Sequence, residues 1–154
     1  ETGIDIDPEA IAWLEKHYAR YGSFAVAPPL PPTGFADESF DLIYGISVFT
    51  HLDEAMQFAW LDDLRRITTP GGHLLMTVHG DWFNRKRPKK ERTAIEKDGF
   101  FFATSVPPMD GLPDFYRATF HKQSYVEREW SKYFDILEYV PGDGKQDLIL
   151  LRRS

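Results

Sequence analysis

The sequence predicts an α/β fold, a mostly parallel sheet covered by helices and closed by one antiparallel hairpin. Three observations predict it. Short β-branched or apolar runs alternate with stretches of helical periodicity over residues 2–79. Proline and glycine clusters fall between these runs. Near the end, two apolar runs flank Pro141-Gly142-Asp143-Gly144-Lys145, a connection so short that its strands must run antiparallel.

Each element has a local cause. Residues 2–6 alternate as a strand does. Asp7-Pro8-Glu9 supplies an N-cap, a proline at the first helical position and an acid in the first turn. Ile11, Leu14, Tyr18 and Tyr21 follow helical spacing, and Gly22 stands where a glycine ends a helix. Residues 23–27 suit a short strand. Pro28-Pro29-Leu30-Pro31-Pro32 is a stiff connector, because four prolines remove donors and fix φ. Residues 40–47 read as a buried strand, apolar almost throughout as parallel strands are. Asp53 or a neighbour caps a helix over 55–68, with Phe58, Leu61, Leu64 and Ile67 facing inward. Pro70-Gly71-Gly72 breaks that helix and residues 73–79 form the next strand. A helix over 122–133 and strands over 134–140 and 147–152 finish the chain.

Between these blocks the character changes. Residues 81–98 are strongly charged, 99–104 contain Phe100-Phe101-Phe102, and 106–115 are rich in Pro, Gly and Met. Residues 85–92 carry six positive charges and one negative, so the rest of a chain with net charge −6 holds −11. This run is either a solvated face or an attractor for an anionic substrate. The phenylalanines and Phe115-Tyr116 serve as core or as pocket walls. No internal repeat or linker marks a second domain, so residues 1–154 are expected to form one domain with an insertion at about 81–121.

Composition narrows the chemistry. The 154 residues are 42% apolar and 15% aromatic, enough for one substantial core. With no cysteine there is no disulfide, thiolate nucleophile or Cys-ligated zinc. No apolar run is long enough to span a bilayer and no signal peptide opens the sequence, which sets the expectation of a soluble, cytoplasmic protein without a membrane partner. The acidic balance argues against a nucleic-acid partner. His51, His73, His79 and His121 lack metal-ligand spacing, so no metal is expected. Neither a G-x-S-x-G elbow nor a phosphate loop of the G-x-x-x-x-G-K-[ST] type occurs.

Three motifs stand in a fixed order. They are Gly3-Ile4-Asp5-Ile6-Asp7-Pro8, then Phe35-Ala36-Asp37-Glu38-Ser39-Phe40-Asp41-Leu42-Ile43-Tyr44, then Pro70-Gly71-Gly72-His73-Leu74-Leu75-Met76. Together with the closing hairpin they resemble the class I S-adenosylmethionine-dependent methyltransferases, of the type 11/12-like group, over nearly the whole chain. The resemblance implies a Rossmann-like sheet, S-adenosyl-L-methionine as cofactor and a small-molecule methyl acceptor. In that family the first motif is the second strand, and the closing hairpin holds the reversed seventh strand. The family's first strand and its acidic, glycine-rich loop have no counterpart here. The expectation is therefore a partial domain, incomplete at the N-terminus, with exposed sheet edges open to self-association and an activity of its own in question.

The site candidates follow from these motifs. Asp5, at the end of a strand, is placed to accept from ribose hydroxyls, or else it is a turn residue like the capping Asp7. Ile6 is an apolar wall for adenine or an ordinary core residue. The resemblance places the loop Gly45-Ile46-Ser47-Val48-Phe49-Thr50-His51 under the cofactor, so Ser47 and Phe49 are cofactor-side candidates. His51, His79 and His121 are candidate bases for a hydroxyl acceptor, and each also has a structural reading. The last helix and hairpin look like methyltransferases that work beside glycan-building enzymes, which suggests a sugar hydroxyl. The alternatives are a catalytically inactive methyltransferase-like interaction module, or an NAD-binding oxidoreductase, since an acid after the second strand also suits NAD ribose.

Overall fold

In the computed structural model, residues 1–104 and 113–154 are described. They divide into two compact units, Glu1–Phe35 and Ala36–Ser154. The boundary falls just after the proline-rich connector, where the Pro31–Pro32 peptide bond is cis. Most of the stretch expected to be rich in Pro, Gly and Met (its residues 106–112) lies outside the described residues.

The first unit is one βαβ motif. Strand β1 (Thr2–Asp5), helix α1 (Pro8–Tyr18) and strand β2 (Ser23–Val26) follow in order, with β1 and β2 parallel and in register from Thr2↔Ser23 to Asp5↔Val26. The Asp7 carboxylate caps α1 by accepting from the Glu9 and Ala10 amides at 2.8 and 3.2 Å, which satisfies donors that the first helical turn leaves without partners. One expectation is corrected. The helix ends at Tyr18, with Ala19 as its C-cap, so Gly22 does not terminate it. Gly22 is needed instead for close approach, because a Cβ there would lie 2.4 Å from the Glu1 carbonyl oxygen.

The second unit contains strand β3 (Phe40–Gly45), helix α2 (Glu54–Ile67), strand β4 (Thr68–Val78) and helices α3 (Asp81–Asn84) and α4 (Lys89–Asp98). Strands β5 (Phe100–Ala103) and β6 (Ala118–His121), helix α5 (Gln123–Trp130) and strands β7 (Asp135–Val140) and β8 (Asp147–Arg152) complete it. Its main sheet has the order β3-β4-β8-β7, in which β3 and β4 are parallel and β8 is antiparallel to both neighbours. β8 is thus the one reversed strand, as the short glycine-rich connection required. The core lies along β4 and β8, where Leu74, Val78, Ile149 and Leu151 meet Leu61 of α2 and Val126 and Trp130 of α5 in full burial.

Two expectations change here, and the insertion gains its elements. Pro70-Gly71-Gly72 does not separate helix from strand. β4 begins at Thr68, directly after α2, and Gly71 at φ 80° forms an irregularity inside the strand. The register accordingly jumps from Phe40↔Thr68 to Leu42↔His73. The strand over residues 40–47 is not buried: Leu42 and Tyr44 are 61% and 58% exposed, and Ile46 and Val48 continue the open apolar row. β3 is an edge strand with β4 as its strand partner among the described residues, and the face that carries Leu42 and Tyr44 is open. Finally, the charged insertion holds two helices, and the aromatic stretch pairs as an antiparallel β5–β6 hairpin joined to β4 by a His79↔Phe120 bridge. Its small core is Ile95, Ala103 and Phe120.

The two faces of the β3–β4 pair should respond differently to truncation. Leu74→Ala removes a fully buried side chain and is expected to cost about 2–5 kcal/mol in urea unfolding. Leu42→Ala, on the open row, is expected to stay within about 0.5 kcal/mol.

Candidate functional site

The carboxyl ends of β3 and β4 carry the candidate chemistry. Where β3 stops, Ser47 takes a left-handed conformation at φ 60°. A non-glycine residue there costs about 1–3 kcal/mol and persists only where its surroundings dictate it. Three hydrogen bonds do so. The Ser47 amide donates to Thr77 Oγ1 (2.8 Å), its carbonyl accepts from Thr50 Oγ1 (2.9 Å), and its hydroxyl accepts from Gln146 Nε2 (2.5 Å).

The loop then delivers His51, and β4 runs into His79. Their rings lie 6.3 Å apart, edge to face. His51 Nδ1 is 3.1 Å from the Arg117 carbonyl, and His79 Nδ1 is 3.1 Å from the Thr119 carbonyl. A carbonyl can only accept, so each Nδ1 carries a proton and each neutral ring presents its Nε2 lone pair. Burial holds both imidazoles below the usual histidine range, outweighing the carbonyl bonds that pull the other way. His51 also stacks on Tyr116 at 3.9 Å, and His79 lies against Phe83 and Phe120. The result is a pair of neutral bases with fixed orientation.

His121 has a different part. It is fully buried, and burial drives it down to about 3. Its Nε2 is 3.0 Å from Gln57 Oε1, while Gln57 Nε2 donates to the carbonyls of Phe49 and Leu52 at 3.0 and 3.1 Å. Since the Gln57 amide nitrogen is spent on two acceptors, its oxygen must receive the His121 proton. This candidate base therefore braces the loop from inside and presents no accessible nitrogen. Phe49 is likewise inside: it is buried and meets Trp130 edge to face at 5.0 Å, as a core residue does. Gln57 is absent from the sequence-based candidates, although positions 57, 61 and 64 share one helical face and a polar residue on it signals a buried partner.

Two more groups fix this end of the sheet. Thr119 Oγ1 donates to the Leu52 carbonyl (2.7 Å) and the Thr119 amide to the Thr50 carbonyl (2.8 Å), tying β6 to the loop. The Asp147 carboxylate accepts from Tyr139 Oη and the Gly142 amide at 2.6 and 2.8 Å, and a Cβ at Gly80 would sit 1.7 Å from its Oδ2. Only glycine fits between His79 and α3. Burial and the Asp147 bond push the Tyr139 hydroxyl above its ordinary range, which keeps it protonated as a donor.

In the first unit, Asp5 is exposed at the end of β1. Its Oδ1 accepts from the Asp7 amide at 2.9 Å, which holds the carboxylate beside the turn and leaves Oδ2 outside that bond. Ile6, the next residue, is half-buried. An oriented, solvent-facing carboxylate at a strand's end suits a pair of ribose hydroxyls. Among the described residues, no three His, Cys, Asp or Glu side chains gather as a metal site, and no helix is long and apolar enough to cross a membrane.

Parallel strands, a reversed penultimate strand position and a chemistry-bearing carboxyl edge define a Rossmann-like methyltransferase fold. Comparison with known proteins agrees. A family model described as a methyltransferase domain matches residues 1–76. An S-adenosylmethionine-dependent methyltransferase from Methanosarcina mazei superposes with a TM-score of 0.71 at 20% identity, covering 99% of this chain and 81% of that one. The N-methyltransferase NodS from Bradyrhizobium japonicum, solved with S-adenosyl-L-homocysteine, gives 0.60 at 18% identity, covering 99% of this chain and 65% of that one. A Burkholderia thailandensis 1,6-didemethyltoxoflavin-N1-methyltransferase, with its substrate and S-adenosylhomocysteine bound, gives 0.68 at 12% identity, with coverages of 99% and 60%. Residues 1–76 thus match the model of a methyltransferase domain, and the chain has a fold shared with solved S-adenosylmethionine-dependent methyltransferases.

The buried imidazole makes a pH prediction. His121 is neutral in the folded chain down to about pH 3, while an unfolded histidine takes up its proton near 6.5. Between those values the unfolded state binds the extra proton, so this contribution to stability is whole above about pH 6.5 and is lost as pH falls toward 3. Urea unfolding of the wild type against His121→Gln should show the difference in its pH slope across that window, about 1.4 kcal/mol per pH unit.

Proposed function

We propose that the chain carries out S-adenosylmethionine-dependent methyl transfer to a hydroxyl of a small, sugar-like molecule, with a histidine of the second unit as base. The observation that supports this reading is the pair of neutral imidazoles, His51 and His79, each held through Nδ1 so that the lone pair is left on Nε2. An amine or carbanion acceptor has less need of a protein base, whereas a hydroxyl must lose its proton as the new C–O bond forms.

When bound, S-adenosylmethionine supplies a methyl group on a sulfonium that is already a good leaving group. The chain's own residues contribute orientation and proton handling. Within the first unit, Asp5 would be the acceptor for ribose hydroxyls and Ile6 an apolar wall for the base. His79 would take the acceptor's hydroxyl proton at Nε2. The Thr119 carbonyl, already bonded to Nδ1–H, stabilises the resulting imidazolium. His51, through its Arg117 bond and Tyr116 stack, serves as the second proton acceptor or orients the hydroxyl. Ser47 shapes the backbone on the cofactor side.

Calorimetry and rate measurements test this directly. S-adenosylhomocysteine should bind the wild type, and Asp5→Ala should weaken it by about tenfold or more. With a sugar acceptor, His79→Gln should lower kcat by about 100-fold while leaving S-adenosylhomocysteine affinity unchanged. The rate should fall only below about pH 6.5, because the base must be unprotonated and burial lowers its pKa. A rate independent of pH through that range, with full kcat in both His79→Gln and His51→Gln, overturns the assignment.

A further inference from the structure

The basic run of residues 85–92 separates, in three dimensions, into engaged and free charges. Arg87 pairs with Glu91 at 2.7 Å and sits over the Phe120 ring, and the Lys86 ammonium lies 3.1 Å above the Trp82 ring. The other members behave differently. Arg85, Lys89 and Arg92 line one cavity of about 410 Å³ between α3 and α4. All three are exposed, and none of their side chains has an ion pair or hydrogen bond among the described residues. Of the two acids in the same wall, Glu96 pairs with Lys122, which leaves Asp81 as the one carboxylate against three cations. The cavity therefore carries an unbalanced positive charge within a chain whose net charge is −6.

A buried amide points the same way. Asn84 is 6% exposed and lines the cavity, and its Nδ2 donates to the His121 carbonyl at 2.7 Å. Its Oδ1 is buried without a hydrogen-bond partner among the described residues. Buried acceptors without partners are uncommon, and this one belongs to a residue of the cavity wall. The same contact ties the cavity to the candidate base, because the His121 amide donates to the His79 carbonyl at 2.9 Å.

We propose that this cavity binds the phosphate group of a phosphorylated, hydroxyl-bearing small molecule, and that this molecule is the methyl acceptor. The identity as acceptor rests on the function proposed above; the phosphate site does not. Two guanidinium forks and one ammonium match the oxygens of a phosphate monoester. The volume suits a ligand of sugar-phosphate size and falls within the range of small-molecule sites. An extended RNA or a membrane surface needs a broad basic face, and beyond this cavity the run's charge is partly engaged by Glu91 and Trp82.

The test is calorimetric titration of the whole chain with glucose 6-phosphate, glucose, inorganic phosphate and S-adenosylhomocysteine, at low and high salt. Saturable 1:1 binding of glucose 6-phosphate that glucose does not reproduce, and that weakens with salt, is expected. Arg85→Gln/Arg92→Gln should weaken it by at least about tenfold. Circular dichroism should be unchanged in that variant, since both side chains are exposed and without partners. Absence of glucose 6-phosphate binding overturns the proposal, as does equal binding by wild type and variant. Displacement of the sugar phosphate by a short single-stranded RNA or by phosphatidylserine vesicles at lower concentration also overturns it. If glucose 6-phosphate binds while S-adenosylhomocysteine does not, the cavity stands and the methyl-transfer reading fails; the converse result removes the cavity and leaves that reading intact.

Discussion

The second unit depends on one buried amide. Gln57 is fully buried on α2, and it donates twice to the loop after β3 while accepting once from β6. The loop, the helix that follows it and β6, 64 residues further on, are held together by one amide whose nitrogen and oxygen are both satisfied. Inside a protein such a network is strong when complete and costly when broken, since each orphaned group loses its hydration without recompense. With the loop held, Ser47 adopts its left-handed backbone and His51 meets the Arg117 carbonyl. With β6 held, Thr119 is in place to receive the His79 proton donor.

The same network sorts the histidines. All three are neutral for a common reason, burial, but they differ in which nitrogen is spent. His51 and His79 spend Nδ1 on backbone carbonyls and keep Nε2, whereas His121 spends Nε2 on Gln57 and sits where no substrate reaches. A residue type that sequence can only nominate is thus divided by tautomer into two rings that keep Nε2 and one that braces the loop. Gly80 and Asp147 complete the frame by bringing α3 so close to β8 that no side chain fits between them.

Much of this architecture was legible from local chemistry. The Asp7 cap and Pro8 place α1, and the glycine-rich 141–145 connection dictates that β8 runs backwards. What escaped has physical causes. The exposure of Leu42 and Tyr44 depends on what covers the sheet, and apolar composition carries no such information. Gly71 tolerates a positive φ that lets β4 begin early, so a motif that normally ends an element sits within one. Helix α4 of the insertion is polar nearly all round, and polar sequence of that kind gives no periodic apolar signal. Asp5 and the candidate histidines came from strand ends and motif order. Gln57 did not, because the partner that ties it to β6, His121, is 64 residues away in sequence.

The division of the histidines rests on their tautomers, and these can be observed without substrate or cofactor. Long-range nitrogen–proton correlation spectroscopy of the histidine rings near neutral pH reads them directly. His51 and His79 should be neutral Nδ1–H tautomers, and His121 a neutral Nε2–H tautomer. His51 or His79 carrying its proton on Nε2, or His121 carrying its proton on Nδ1, would contradict it.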